Sequence, residues 1–125
     1  MALVETKLKP EYENGVDNRQ VRVLNWDWTS DGAEGATATT TRVYGAILGR
    51  VITVPAHGAD APVAAYDLAI YDEDGVDVLE GAGADRSNSL AQTIKPETYV
   101  ASGLRLAISN GAGIGTKGKV RVLLF

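Results

Sequence analysis

Apolar residues in this chain recur at every second position, and only over short runs. Tyr66, Leu68 and Ile70 form one such run, Leu104, Leu106 and Ile108 a second, and Val120, Val122 and Leu124 a third. Side chains two apart share one face of an extended strand, whereas a helix needs spacings of three and four. Glycine, proline or a polar cluster cuts each run within a few residues, so none outgrows an ordinary strand. With 14 glycines and few long helix-forming runs, the chain reads as all-β. Seven or eight short strands can bury their alternate faces by packing as two sheets. The expected fold is an antiparallel β-sandwich, jelly-roll-like in its finer form, in preference to an open barrel. Its expected core holds Tyr66, Leu68, Ile70, Leu104, Leu106, Ile108, Val120 and Val122. A charge placed at Leu106 would lose packing and enter a dry interior unpaired, abolishing cooperative unfolding.

The 125 residues suit one domain with a sizeable core. Residues 20–125 carry the strand pattern. Residues 1–19, broken by Pro10, Asn14 and Gly15, read as an N-terminal arm or irregular lead-in. Without cysteine, neither disulfides nor thiolate ligands stabilise the fold. The N-terminus lacks a basic segment followed by an apolar run, and no apolar stretch is long enough to span a bilayer. The expectation is a soluble protein with no membrane partner that needs no cleaved secretion signal.

Charge divides along the chain. The net charge is -4, yet residues 60–85 hold eight acids and no Lys or Arg, while residues 86–125 hold six bases and one acid. The two segments are expected to be neighbouring strands or to face partner subunits with opposite signs. A nucleic-acid platform is not expected, because Lys117, Lys119 and Arg121 lack interleaved aromatics and the whole chain is acidic.

Local order follows from the same alternation. Residues 20–28 form the first strand, with Trp26 and Trp28 on one face. Val21 and Val23 take the opposite parity to Leu24, which calls for a bulge near Val23 or burial of both faces. The tryptophans are expected in the core, with a partner interface as the alternative. After the turn TSDGAEGA, a β-compatible run covers Thr37–Thr41. Residues 43–54 continue as two strand pieces bent or bulged at Gly45 and Gly49. In VAAYDLAIYDEDGVDVL, from Val63 to Leu79, a strand enters the turn Asp72–Gly75 and returns through Val76, Val78 and Leu79 as a β-hairpin. A short strand at Leu90–Ile94 is expected next, and Thr98–Ala101 begins another strand or an interstrand crossing. The last two runs are expected to pair as an antiparallel hairpin across the wide loop NGAGIGTKG, with Arg105 and Arg121 near solvent or an interface and Phe125 capping the core or docking on a neighbour.

No catalytic, cofactor-binding or metal site is assigned. His57 is the single histidine, in the loop PAHGADAP between Pro55 and Pro62, and no Ser or Cys nucleophile is placed to use it. Asp67, Asp72, Glu73, Asp74 and Asp77 form the densest acidic group. Their spacing departs from an EF-hand, and turn carboxylates are ordinarily solvated. Asp67 stands apart because its parity sets it among alanines, suggesting a hydrogen bond to the adjacent turn. In EGAGADRSNS, Gly81 and Gly83 make no phosphate loop, and no βαβ context supports a Rossmann site.

The segments YGAILGRVITVP, YDLAIYDEDGVDVLEG and LRLAISNGAGIGTKGKVRVLLF together resemble small β-rich virion proteins of tailed bacteriophages. The resemblance covers residues 20–125. It implies a non-enzymatic virion structural protein that decorates or stabilises a capsid through repeated protein contacts multiplied by symmetry. It also implies production in the host cytoplasm and partners among virion proteins, the major capsid protein or further copies of the chain. Contact groups are expected in the N-terminal arm and in the loop around Asn110–Gly118. The alternatives are a tail, neck or fibre component, or a carbohydrate-binding module using Trp26, Trp28, Tyr44, Tyr66 or Tyr71.

Overall fold

The computed structural model describes residues 3–8 (backbone path), 21–31, 35–40, 44–110 and 113–125. Their strands are β1 (Leu3–Leu8), β2 (Val21–Thr29), β3 (Ala36–Thr39), β4 (Tyr44–Pro55), β5 (Asp67–Tyr71), β6 (Gln92–Ile94), β7 (Thr98–Ser102), β8 (Arg105–Ser109) and β9 (Lys117–Leu124). One 3-10 turn, Gly58–Asp60, lies in the loop after β4. The protein is all-β and every strand pair is antiparallel. The larger sheet runs β1-β2-β9-β4, and the far edge of β4 is shared by β6 and β7. The smaller sheet runs β3-β8-β5.

Alternation sends one side of each sheet into a common core. Leu24, Trp26 and Trp28 on β2, Val120, Val122 and Leu124 on β9, and Leu48 and Val51 on β4 all join it. From the smaller sheet come Leu68, Ile70, Leu106 and Ile108, with Tyr66 and Leu104 beside them. All eight expected core residues are buried. The two tryptophans are interior, and Trp28 meets Tyr66 at 5.3 Å between ring centroids, tilted by 59°. Trp28 also lies flat on Gly118, where a Cβ would come within 2.5 Å of the indole. Thr53 Oγ1 and the Tyr66 hydroxyl are buried near this contact without closing a hydrogen bond of good geometry. Burial pushes the Tyr66 phenol above its ordinary value, while the Thr53 hydroxyl and the Arg86 charge pull it down.

Several local expectations change. β8 and β9 do not form a hairpin: β8 sits between β3 and β5, whereas β9 sits between β2 and β4. Each has both edges occupied within a different sheet, so their apolar faces meet across the core instead of lying side by side. The connecting loop therefore crosses between sheets. Ser30 Oγ and Thr116 Oγ1 hold its far end at 3.0 Å, aided by Thr116 N–H donating to Ser30 Oγ and Ser30 N–H donating to the Thr116 carbonyl.

The segment after Asp72–Gly75 returns along β5 but makes no strand. Tyr71 pairs with Asp77 and Tyr66 with Arg86 as isolated bridges, with turns between them. Gly83 lies too close to β5 for a regular ladder residue: a Cβ there would stand 2.0 Å from the Leu68 carbonyl oxygen. β2 keeps continuous register with β1 and β9, so no bulge occurs at Val23. Both faces are buried there, Val23 on one and Leu24 on the other. β4 is one strand, and its expected irregularity is a register shift between Leu48 and Arg50, at Gly49. Leu3–Leu8 extends the larger sheet, while the rest of the 1–19 segment lies outside the described residues.

Candidate interaction surface

The outward face of the larger sheet carries side chains that the core does not use. On β4 the outward positions begin with Gly45, Ile47 and Gly49. Tyr99 of β7 pairs with Ile47 on one side, and Phe125 exchanges backbone hydrogen bonds of 3.0 and 2.9 Å with Ile47 on the other. The three side chains thus form a row across β7, β4 and the residue that follows β9, spanning about 10 Å. They are 67%, 45% and 46% exposed for Tyr99, Ile47 and Phe125.

The glycines leave room for the Phe125 ring and the Tyr99 hydroxyl there. A Cβ at Gly49 would meet the Phe125 ring at 2.4 Å, and one at Gly45 would stand 3.1 Å from the Tyr99 hydroxyl. The Phe125 ring therefore covers the bare backbone of Gly49, while Tyr99 reaches Gly45 with its hydroxyl. Phe125 neither enters the core nor stands free.

Farther along the same face the chemistry turns basic. Lys117, Lys119 and Arg121 project outward from β9 at alternate positions, and Arg50 projects from β4 opposite Leu123. Lys117 approaches Asp60, and Lys119 approaches Asp27, each at 3.9 Å between largely exposed side chains. Such pairs are long and solvated, and each contributes at most about 1 kcal/mol. An open groove of ≈ 360 Å³ lies at this end, bordered by Val54, Ala56 and the two lysines.

The acidic turn sits on the other side of the apolar row, beyond β7. A polar groove of ≈ 230 Å³ separates Asp72, Glu73 and Asp74 from Tyr99 and Ser102. Glu73 Oε1 accepts the Gly103 N–H at 3.2 Å, which ties the turn to the end of β7. Asp72 Oδ1 accepts the N–H groups of Asp74 and Val76. Asp77 accepts three, from Ile70 and Leu79 on Oδ1 and from Gly81 on Oδ2. Asp67 accepts the Asp85 N–H at 2.9 Å and the Asn110 side-chain amide at 2.7 Å. The Asn110 amide, then the Asp85 N–H, holds the Asp67 carboxyl below its ordinary value. These carboxylates support turns, and no group of three or more metal-ligating side chains converges among the described residues.

His57 is exposed. Trp26, Trp28, Tyr44 and Tyr66 are buried and offer no stacking platform, while Tyr71 is partly covered, with the Arg105 guanidinium 4.4 Å from its ring centroid. The exposed row of Ile47, Tyr99 and Phe125 was not legible as a unit in the sequence. The Gly-x-Ile-x-Gly spacing of β4 marks where rings can lie, but only register brings Tyr99 and Phe125 to it.

A second exposed apolar spot lies where the loop that crosses between sheets meets the segment before β5. Ile114 is 68% exposed, and Val63 is 71% exposed, packed against Gly113. No known protein family, curated protein or solved structure matches the chain.

Proposed function

We propose that the chain is a non-enzymatic structural protein of a tailed-bacteriophage virion, binding the outside of a capsid as a decoration or stabilising subunit. The observation that carries this reading is the crossing loop. Its backbone is anchored by the buried Ser30–Thr116 pair, yet it presents Ile114 to solvent, beside exposed Val63 of the segment before β5. An apolar side chain on an anchored loop loses little freedom on docking, which favours weak contacts that symmetry can multiply. The two sheets are read as the layers of a jelly-roll-like β-sandwich. In support, the chain changes sheet at nearly every step from β2 to β9 while all inward faces share one core.

Cosedimentation of the purified chain with shells of a candidate phage that lack it tests the proposal. Saturable binding at a fixed ratio to the major shell protein is expected. Val63→Asp with Ile114→Asp should weaken it at least about tenfold while leaving thermal unfolding unchanged. Failure to bind any shell, together with glycan binding lost in Tyr99→Ala, would replace this reading with the carbohydrate-binding one. Tyr99 is the exposed aromatic that favours that alternative.

A further inference from the structure

The Tyr99–Ile47–Phe125 row lies between charges of opposite sign. Beyond β7 stand Asp72, Glu73 and Asp74, and along β9 stand Lys119 and Arg121. We infer that this face binds a second copy of the chain, with apolar rows in contact and the acidic turn of one copy on the basic strand of the other. The inference goes beyond the capsid reading and does not require it.

Three observations select a second copy as the occupant. Tyr99, Ile47 and Phe125 are large, adjacent and held on sheet backbone, so docking costs little ordering. A uniformly acidic partner would be repelled by Glu73 and Asp74, and a uniformly basic one by Lys119 and Arg121. A second copy carries both signs at the required spacing from the same apolar row. Finally, the cations are not consumed internally: Arg121 is exposed, and the contact of Lys119 with Asp27 is a long surface pair at 3.9 Å. Exchange of that pair for an intermolecular one therefore costs little.

The charges make the contact salt-sensitive, and the row makes it persist in part at high salt. Sedimentation velocity over a concentration series reads both. Association is expected to weaken about tenfold between low and high salt. Ile47→Thr, which keeps a β-branched side chain on the strand, should weaken it at every salt concentration.

Charge exchange provides the decisive arm. Lys119→Glu with Arg121→Glu should abolish association, as should Glu73→Lys with Asp74→Lys. An equimolar mixture of the two double variants should restore it, because each then offers the charge that the other lacks. Circular dichroism melts confirm that both variants are folded. A wild-type chain that remains monomeric at all concentrations overturns the inference. So does association that survives either charge reversal, or a mixture that fails to recover. A monomer whose Ile47→Thr variant loses shell binding instead assigns the row to the shell protein.

Discussion

The acidic segment at residues 60–85 and the basic strand β9 use their charges in opposite ways. Asp67, Asp72 and Asp77 turn carboxylate oxygens onto backbone N–H groups and hold successive turns along β5. Lys117, Lys119 and Arg121 stand at the outward positions of a regular strand whose backbone is already satisfied by β2 and β4. The difference is one of backbone need. Irregular chain exposes donors that a short carboxylate can cap, whereas a central strand leaves its side chains nothing local to repair. Charge density alone does not separate a structural acid from an available base.

Substitutions can break this contrast, beginning with the fit of the acidic segment against β5. Gly83→Ala should be the most damaging, because its methyl group meets the Leu68 carbonyl and disrupts the 2.8 Å bond from the Leu68 N–H to the Gly83 carbonyl. A loss of about 3 kcal/mol is expected in urea unfolding. Next comes Asp77→Ala, which leaves three N–H groups without their acceptor and should cost about 2 kcal/mol. Asp77→Asn retains one acceptor oxygen and should recover part of that loss. If Asp77→Ala matches wild type, the acids are no more structural than the bases.

Asp67 sharpens the contrast through pH. Its folded pKa lies below the ordinary 3.8, so its contribution is fully present above that value and is lost as pH falls through the lower folded value. Asp67→Asn should therefore flatten the acid limb of the stability profile, measured from about pH 6 to pH 2. A variant with an unchanged acid limb would remove Asp67 from the set of structural acids. The smallest effect belongs to Lys119→Ala with Arg121→Ala, expected within about 0.5 kcal/mol of wild type in dilute solution. A substantially larger loss would mean that the basic strand is structural as well.

The candidate surface shows where sequence reading stops. Gly45 and Gly49 mark an irregular strand, and Gly49 lies at the register shift in β4. The Tyr99 hydroxyl and the Phe125 ring that meet them come from far along the chain. Alternation assigns Tyr99 an outward parity but cannot name its neighbours. The acids show the same limit: Asp67 is conspicuous among alanines, yet its partners Asp85 and Asn110 are distant and meet it only after folding.

Strand character and inward parity were determined by the sequence itself, because the period of two belongs to a single extended segment. Tyr66, Leu68 and Ile70, Leu104, Leu106 and Ile108, and Val120 and Val122 are buried as their spacing dictates. Strand partnership was decided only by the tertiary structure. β8 and β9 have the pattern of a hairpin pair but lie in different sheets, because β3 and β5 occupy the edges of one and β2 and β4 those of the other. Side-chain alternation specifies which face seeks the core; it does not specify which backbone edge will satisfy the strand.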